Sequence, residues 1–154
     1  MRNIMRSTAT VVAGVLVTAG VTVFGVSGPA QASPADCEGG ANGFVDIPDN
    51  LSGTVGTQRT IGGGTRISIQ YATFGGVQRG WAKIDGWTLP GDKVWMDWTT
   101  NGGSSWLQCG PFVVGAQDTP KTSAAKNTSS SSAWKFRACA ALAPAGPPLC
   151  TNWW

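Results

Sequence analysis

The fold is decided by one stretch of the chain, which reads Val94-Trp95-Met96-Asp97-Trp98-Thr99-Thr100-Asn101-Gly102-Gly103-Ser104-Ser105-Trp106-Leu107-Gln108-Cys109. Two β-like runs flank an Asn-Gly-Gly turn, and this is a hairpin signal because Asn and Gly tolerate the positive φ values of tight turns. The stretch holds three of the eight tryptophans and ends on one of the four cysteines. It predicts a β-hairpin that the rest of the chain buries and crosslinks.

The amino-terminal end has the layout of a secretory signal peptide. A short basic stretch, residues 1–6, precedes an apolar run over residues 9–26, and Ala30-Gln31-Ala32 supplies an A-x-A cleavage site. The apolar run is near the lower length limit for a membrane span, but its Thr and Gly content favours cleavage. The sequence therefore predicts a signal peptide over residues 1–32 and a secreted, extracellular protein with no membrane anchor after processing.

The cysteines predict two disulfides, because all four lie beyond the cleavage site and an even count is typical of exported domains. We favour Cys139–Cys150, which closes a short hairpin-like segment, and therefore Cys37–Cys109, which ties the amino-terminal arm to the hairpin. A metal site is disfavoured, since the spacings contain no C-x-x-C and the sequence has no histidine.

The exported chain is nearly neutral. The whole sequence has a formal charge of +3, but Arg2 and Arg6 leave with the signal peptide. The exported chain therefore keeps nine of the eleven Lys and Arg residues and all eight Asp and Glu residues. A near-neutral chain without a basic run predicts no nucleic-acid partner.

Short runs separated by turn residues predict an all-β fold. Ile67, Ile69 and Tyr71 alternate with polar residues, the period-two pattern of a half-buried strand. Similar runs recur along the chain, and none has helical periodicity. We predict a monomeric, small antiparallel β-sandwich, immunoglobulin/fibronectin-like, with seven or eight short strands over residues 51–154. Residues 33–50 are predicted to form an irregular arm.

The turn of the hairpin resembles the Asp-box, whose pattern is Ser/Thr-x-Asp-x-Gly-x-Thr/Ser-Trp. The matching residues are Thr99, Asn101, Gly103, Ser105 and Trp106, with Asn101 where Asp is usual. In sialidases and other β-proteins the hydroxyls and the carboxyl of the box bond the turn backbone while its tryptophan packs beneath. The resemblance implies a structural turn, and a single box in a chain too short for a propeller implies no sialidase activity.

Five segments between about Gly75 and the end of the chain carry a second resemblance: Gly80-Trp81-Ala82-Lys83, Asp97-Trp98-Thr99, Trp106-Leu107-Gln108-Cys109-Gly110-Pro111-Phe112, Phe136-Arg137-Ala138-Cys139 and Cys150-Thr151-Asn152-Trp153-Trp154. In these segments the chain is similar to a group of small, secreted, tryptophan-rich actinobacterial proteins of uncharacterised function. The resemblance supports secretion and fold and implies no particular activity.

Three tryptophans, Trp81, Trp87 and Trp95, are the candidate ligand-binding residues. They share strand faces with charged residues, and exposed indoles on a β-face stack on sugar rings or anchor protein interfaces. The alternative is that a second sheet or the arm over residues 33–50 covers them. A further set of tryptophans is assigned to the core: Trp98, Trp106 and Trp134.

Catalysis is poorly supported. Without histidine the chain has no Ser-His-Asp or Cys-His arrangement, and we predict no catalytic residue, no metal and no cofactor. Asp85 and Asp97 would lie opposite each other across a short loop as a carboxylate pair, but solvated aspartates paired with Lys83 and Lys93 are the favoured interpretation.

We therefore predict a non-catalytic binding module that recognises an extracellular polysaccharide or a cell-wall surface through exposed tryptophans. The alternative is an inhibitor or other partner of an exported hydrolase, which would insert the loop over residues 117–132 or the Pro-rich loop over residues 143–148. The expected partner is thus an extracellular glycan or a secreted protein.

Overall fold

The structure is a computed structural model that describes residues 29–154. Most of the predicted signal peptide, residues 1–28, lies outside the described residues. In chain order the elements are β1 (Ala30–Ala32), α1 (Pro34–Glu38), a 3-10 turn (Ala41–Gly43), β2 (Phe44–Val45), β3 (Thr54–Ile61), β4 (Thr65–Phe74), β5 (Val77–Asp85), β6 (Lys93–Thr99), β7 (Leu107–Val113), β8 (Lys121–Thr122), β9 (Ala125–Asn127), β10 (Lys135–Ala141) and β11 (Leu149–Cys150).

The strands form two sheets that pack face to face. Sheet 1 has the order β1-β7-β6-β10-β11, and sheet 2 has the order β2-β9-β5-β4-β3, with β8 also paired to β5. Pairing is antiparallel throughout residues 29–154 except between β1 and β7. The all-β sandwich is confirmed, whereas its immunoglobulin/fibronectin-like character stays a prediction. The strands outnumber the predicted seven or eight because several have only two or three residues.

The core lies between the two sheets and follows the alternation of the long strands. In β4 and β5 the inward side chains are apolar, and the same holds for β6 and β10. Burying one such side chain stabilises the fold by about 1.5–3 kcal/mol. The fully buried members include Ile67, Ile69 and Ile84 from sheet 2 and Val94, Met96 and Phe136 from sheet 1.

The predicted hairpin is β6 and β7, with Trp98 opposite Leu107 and Asp97 opposite Gln108. Its turn is held by the side chains that match the Asp-box pattern. Thr99 Oγ1 accepts a hydrogen bond from Gly103 N (3.1 Å), and Asn101 Oδ1 accepts one from Ser105 N (3.0 Å). Asn101 Nδ2 donates to Ser105 Oγ (2.8 Å). These residues therefore satisfy the turn backbone, which is the structural role predicted for them.

The segment predicted as an irregular arm contains regular elements and joins both sheets. Ser33 caps α1 through a capping box with Asp36. β2 pairs with β9 of sheet 2, while Cys37 in α1 is bonded to Cys109 in β7 of sheet 1. The arm thus links β7 of sheet 1 to β9 of sheet 2. Within residues 29–154 no helix is both long and apolar enough to cross a bilayer.

Both predicted disulfides, Cys37–Cys109 and Cys139–Cys150, are present. Cys139 and Cys150 lie directly opposite each other on β10 and β11. Two disulfides indicate that the domain matures in an oxidising compartment.

Candidate functional site

The three candidate tryptophans do not form one surface. Trp81 is 0% exposed and Trp95 is 8% exposed, whereas Trp87 is 73% exposed. Trp81 is in β5 of sheet 2 and Trp95 is in β6 of sheet 1, so the two indoles belong to different sheets. The expected platform of three exposed indoles is therefore wrong, and Trp87 is the one that solvent reaches.

Trp81 is on the outer face of sheet 2, as the alternation predicts, but residues 45–53 cover it. Ile47 is buried with it, and Leu51 packs against the same cluster. A Cβ atom on Gly53 would lie 2.7 Å from the indole, so the covering segment approaches closely. Lys83 Nζ donates to the Leu51 carbonyl (2.7 Å), and burial lowers the pKa of Lys83. The arm and the residues just after it thus cover Trp81, which was the predicted alternative to an exposed indole.

The outer face of sheet 1 carries a buried ion pair beneath two indoles. Asp97 Oδ2 accepts a hydrogen bond from Arg137 Nε (2.9 Å), and Arg137 Nη2 forms an ion pair with the same oxygen at 2.8 Å. The Arg137 guanidinium carbon lies 4.6 Å from the ring centre of Trp106 and 4.5 Å from that of Trp153. Trp106, predicted for the core, therefore lies on the outer face, because its neighbour Leu107 is the residue that packs inward.

Asp85 and Asp97 do not form a carboxylate pair. Asp85 is in sheet 2 and pairs with Arg66 at 2.9 Å, whereas residues 86–92 carry the chain across to Asp97 in sheet 1. The predicted pairing of these two aspartates with Lys83 and Lys93 is also wrong, because Asp85 pairs with Arg66 and Asp97 pairs with Arg137. The Asp97 side chain is 3% exposed, and burial raises its pKa while the Arg137 hydrogen bond and charge oppose that rise. Its carboxylate is a structural group with little access to a substrate.

A groove that is open to solvent lies at the end of the sandwich where β6 begins. Its walls come from four connections, which span residues 62–64, 86–92, 114–120 and 142–148. Its volume of about 520 Å³ is in the range of ligand-binding clefts. The side chains that give it chemical character are Thr65, Trp87, Leu89, Gln117, Asp118 and Leu142.

Trp87 is held at this groove by the β3–β4 turn. Gly64 has a φ of 104°, and a Cβ atom there would lie 3.4 Å from the indole, so the ring packs against the turn backbone. Thr65 Oγ1 donates to the Trp87 carbonyl (2.6 Å). The backbone of Trp87 is thus fixed while most of its side chain faces solvent.

Asp92 ties the connections together. Its Oδ2 accepts from Leu89 N (2.9 Å) and its Oδ1 accepts from Ala143 N (2.8 Å), although these residues belong to different connections. Thr88 Oγ1 donates to the Thr119 carbonyl (2.7 Å), which joins a third connection. A groove with walls linked in this way is largely preformed, so a ligand does not have to order it on binding.

The lining of the groove combines apolar side chains with hydroxyl, amide and carboxylate groups, and it contains no basic residue. Leu89 is 50% exposed beside Trp87. Gln117 Nε2 donates to Asp118 Oδ2 (3.3 Å), and both side chains are exposed. Asp118 has a φ of 55°, a strained backbone of the kind that concentrates at binding sites. The arrangement can stack an aromatic ring on a ligand and offer an amide and a carboxylate to its polar groups.

Residues 29–154 offer few side chains that could bind a metal ion together. The one cluster there with suitable spacing is Asp97 with Cys139 and Cys150. Its two sulfur atoms form a disulfide, which leaves no thiolate to bind a metal.

Of the residues that line the groove, the sequence analysis singled out Trp87 as a candidate and placed Gln117 and Asp118 in a predicted insertion loop, but it gave no role to Leu89 or Leu142. The signals present were turn residues, such as Gly62-Gly63-Gly64 and Pro90-Gly91-Asp92, which mark where connections occur. Nothing in their spacing shows that connections so far apart in the chain meet at one end of the sandwich.

A scan against protein-family models finds no match, and searches of curated proteins and of solved structures find none either.

Proposed function

We propose that the protein is a secreted, non-catalytic binding module that recognises an extracellular polysaccharide or cell-wall glycan at the groove around Trp87. The 73% exposure of Trp87 carries this proposal. An indole in that position leaves a large apolar area in contact with water, although burying it would stabilise the chain. The carbonyl hydrogen bond from Thr65 and the contact with Gly64 hold the residue at the rim of a formed groove.

The chemistry of the lining favours a sugar ligand. The flat face of an indole packs on the apolar face of a pyranose ring, and the Gln117 amide and the Asp118 carboxylate are suited to bond hydroxyl or amino groups. With carboxylates but no Lys or Arg in its lining, the groove suits neutral or amino-bearing sugars better than polyanions.

Secretion is part of the proposal. The basic start, apolar run and A-x-A site support it from the sequence, and the two disulfides are consistent with an extracellular destination.

Retention on insoluble polymers tests the proposal. The protein, Trp87→Ala and the control Val55→Ala are incubated with chitin, cellulose and peptidoglycan, and the bound fraction is measured after washing. Val55 is also exposed (46%) but lies at the far end of β3, away from the groove. We expect at least one polymer to retain the protein and the control Val55→Ala. The affinity of Trp87→Ala for the same polymer should be lower by about tenfold or more. The proposal fails if no polymer retains the protein or if both variants bind equally.

The second candidate function is a partner or inhibitor of an exported hydrolase. Leu89 and most of the loop over residues 143–148 are exposed at the same end of the sandwich. The other predicted insertion loop, residues 117–132, is largely unsuitable, because β8 and β9 are paired in sheet 2 and residues 122–126 are buried. Inhibition of a secreted protease or glycosidase that is lost on deleting residues 144–147 would favour this function over glycan binding.

A further inference from the structure

The predicted cleavage site is a strand of sheet 1. Ala30–Ala32 forms β1, which lies parallel to the edge of β7 with Ala30 opposite Leu107 and Ala32 opposite Cys109. Gln31 Nε2 donates to the Gly110 carbonyl (3.3 Å), and Ala32 is only 5% exposed. The A-x-A stretch therefore occupies a position that cleavage after Ala32 would empty.

Cleavage would remove β1 and leave its surroundings in place. Ser33, the next residue, is held by its capping box with Asp36. Four residues further on, Cys37 is bonded to Cys109, the residue opposite Ala32. The arm therefore stays attached to β7, and β7 keeps its pairing with β6 on the other side. Only the outer edge of β7 loses its partner.

The emptied edge adjoins a depression at the turn end of the hairpin, opposite the Trp87 groove along β6. In the structure Pro29 and Ala30 line it, and its volume is about 580 Å³. The remaining lining is uncharged and consists of Trp98, Trp106 and Leu107 with the hydroxyl residues of the turn. This is an apolar and hydroxyl-lined surface that already accommodates an extended, uncharged segment.

The length of the edge limits what can pair with it. An unpaired strand edge is a template for another strand. Pro111, two residues after Cys109, has no N–H group, so regular pairing stops close to Cys109. The edge thus offers residues 107–109, which suits a short segment and discourages extended strand-to-strand association.

We propose that the exported chain binds an extended, uncharged peptide segment of a partner protein at this edge, parallel to β7, with a small residue in the position of Ala32. The seated β1 strand defines the register, and the small residue is required because that position is buried. This interaction is separate from glycan binding, since it uses the opposite end of β6.

The test uses the exported protein purified from the medium. Intact mass spectrometry defines its first residue, which we expect to be Ser33. The probe is the blocked pentapeptide Pro29-Ala30-Gln31-Ala32-Ser33, titrated into isotopically labelled protein and followed by amide chemical shifts. The matched control is the same peptide with Ala32→Asp, which places a carboxylate at a buried, uncharged position.

We expect the shift changes to concentrate in residues 106–110 and the control peptide to bind at least about tenfold more weakly. Trp87→Ala protein should bind the peptide as the unsubstituted protein does, which separates this result from the glycan test. The proposal is overturned if the exported chain retains Ala30–Ala32, if both peptides bind alike or not at all, or if the shifts lie elsewhere.

Discussion

The Arg137 guanidinium holds the buried Asp97 carboxylate through two contacts, of 2.9 Å from Nε and 2.8 Å from Nη2. The two residues are directly opposite each other on β10 and β6. Two indoles flank the guanidinium, so the pair is shielded on the outer face of sheet 1. The effect of a buried ion pair on stability is clearest when one partner is removed, because the other charge is then left buried and unpaired.

Arg137→Met is expected to lower the free energy of unfolding by about 3–5 kcal/mol, because it leaves Asp97 buried without its cation. Denaturant unfolding at pH 7 measures the loss. The double variant Arg137→Met with Asp97→Leu should recover most of it, since no buried charge then remains. A loss below about 1 kcal/mol for Arg137→Met would show that the pair behaves as a surface salt bridge.

The same variant should be more strongly destabilised at neutral than at acidic pH. Burial raises the pKa of Asp97 above its ordinary value of 3.8, and Arg137→Met removes the main opposing influence. Between the unfolded and the higher folded pKa the folded state binds more protons, so stability falls as pH rises through that window. Unfolding curves at pH 3 and pH 7 check this; a pH-independent difference from the unsubstituted protein would contradict it.

Lys126 offers a second test of buried charge. Its ammonium donates to the Asn42 carbonyl and lies 4.5 Å from the ring centre of Trp98 and 5.4 Å from that of Trp134. Burial lowers its pKa. Lys126→Met keeps the stem but loses the hydrogen bond and the cation–π contacts, and we expect about 1–2 kcal/mol of destabilisation.

Lys121→Met is the matched control for Lys126→Met. Lys121 is nearby on β8, and it pairs with the half-exposed Asp49 at 2.8 Å. A partly exposed pair of this kind is worth about 0.2–1 kcal/mol. Equal losses for both variants, measured by thermal unfolding, would show that the aromatic surroundings of Lys126 contribute nothing.

The disulfides should differ in their contribution to stability. Cys37–Cys109 closes a sequence separation of 72 residues and Cys139–Cys150 one of 11. Restriction of the unfolded chain predicts losses of about 4 and about 3 kcal/mol when each pair is replaced by serine. Denaturant midpoints of the two double-serine variants provide the comparison. The reverse order would contradict the chain-entropy account.

Much of the fold could be predicted because it depends on local pattern. The alternation around Ile67 and Ile69 and the Asn-Gly-Gly turn both identify real strands and hairpins. The cysteine pairing followed from the compact segment between Cys139 and Cys150, which left Cys37 for Cys109. The strands, the hairpin and the Cys139–Cys150 bond can be predicted from residues close together in the sequence, and the Cys37–Cys109 bond then follows by elimination.

The surroundings of each outer face could not be predicted in the same way. Alternation places Trp81 and Lys83 on the outer face of β5, but it does not show that residues 45–53 fold over them. It likewise gives no reason for Asp97 to meet Arg137 rather than Lys93, because β10 joins β6 from a distant part of the chain. Exposure is therefore a property of the assembled sheets, and Trp87 stays exposed because it lies on a connection.

The most direct test of the binding site is the response of the indole N–H groups to a soluble glycan. Nuclear magnetic resonance titration with chitin, cellulose and peptidoglycan oligosaccharides would follow each tryptophan separately. With at least one of these ligands, we expect shifts for the Trp87 indole and the amides of Gln117 and Asp118, and none for Trp81 or Trp95. Unchanged Trp87 with every ligand, or shifts that concentrate at Trp106 and Trp153, would contradict the proposed function.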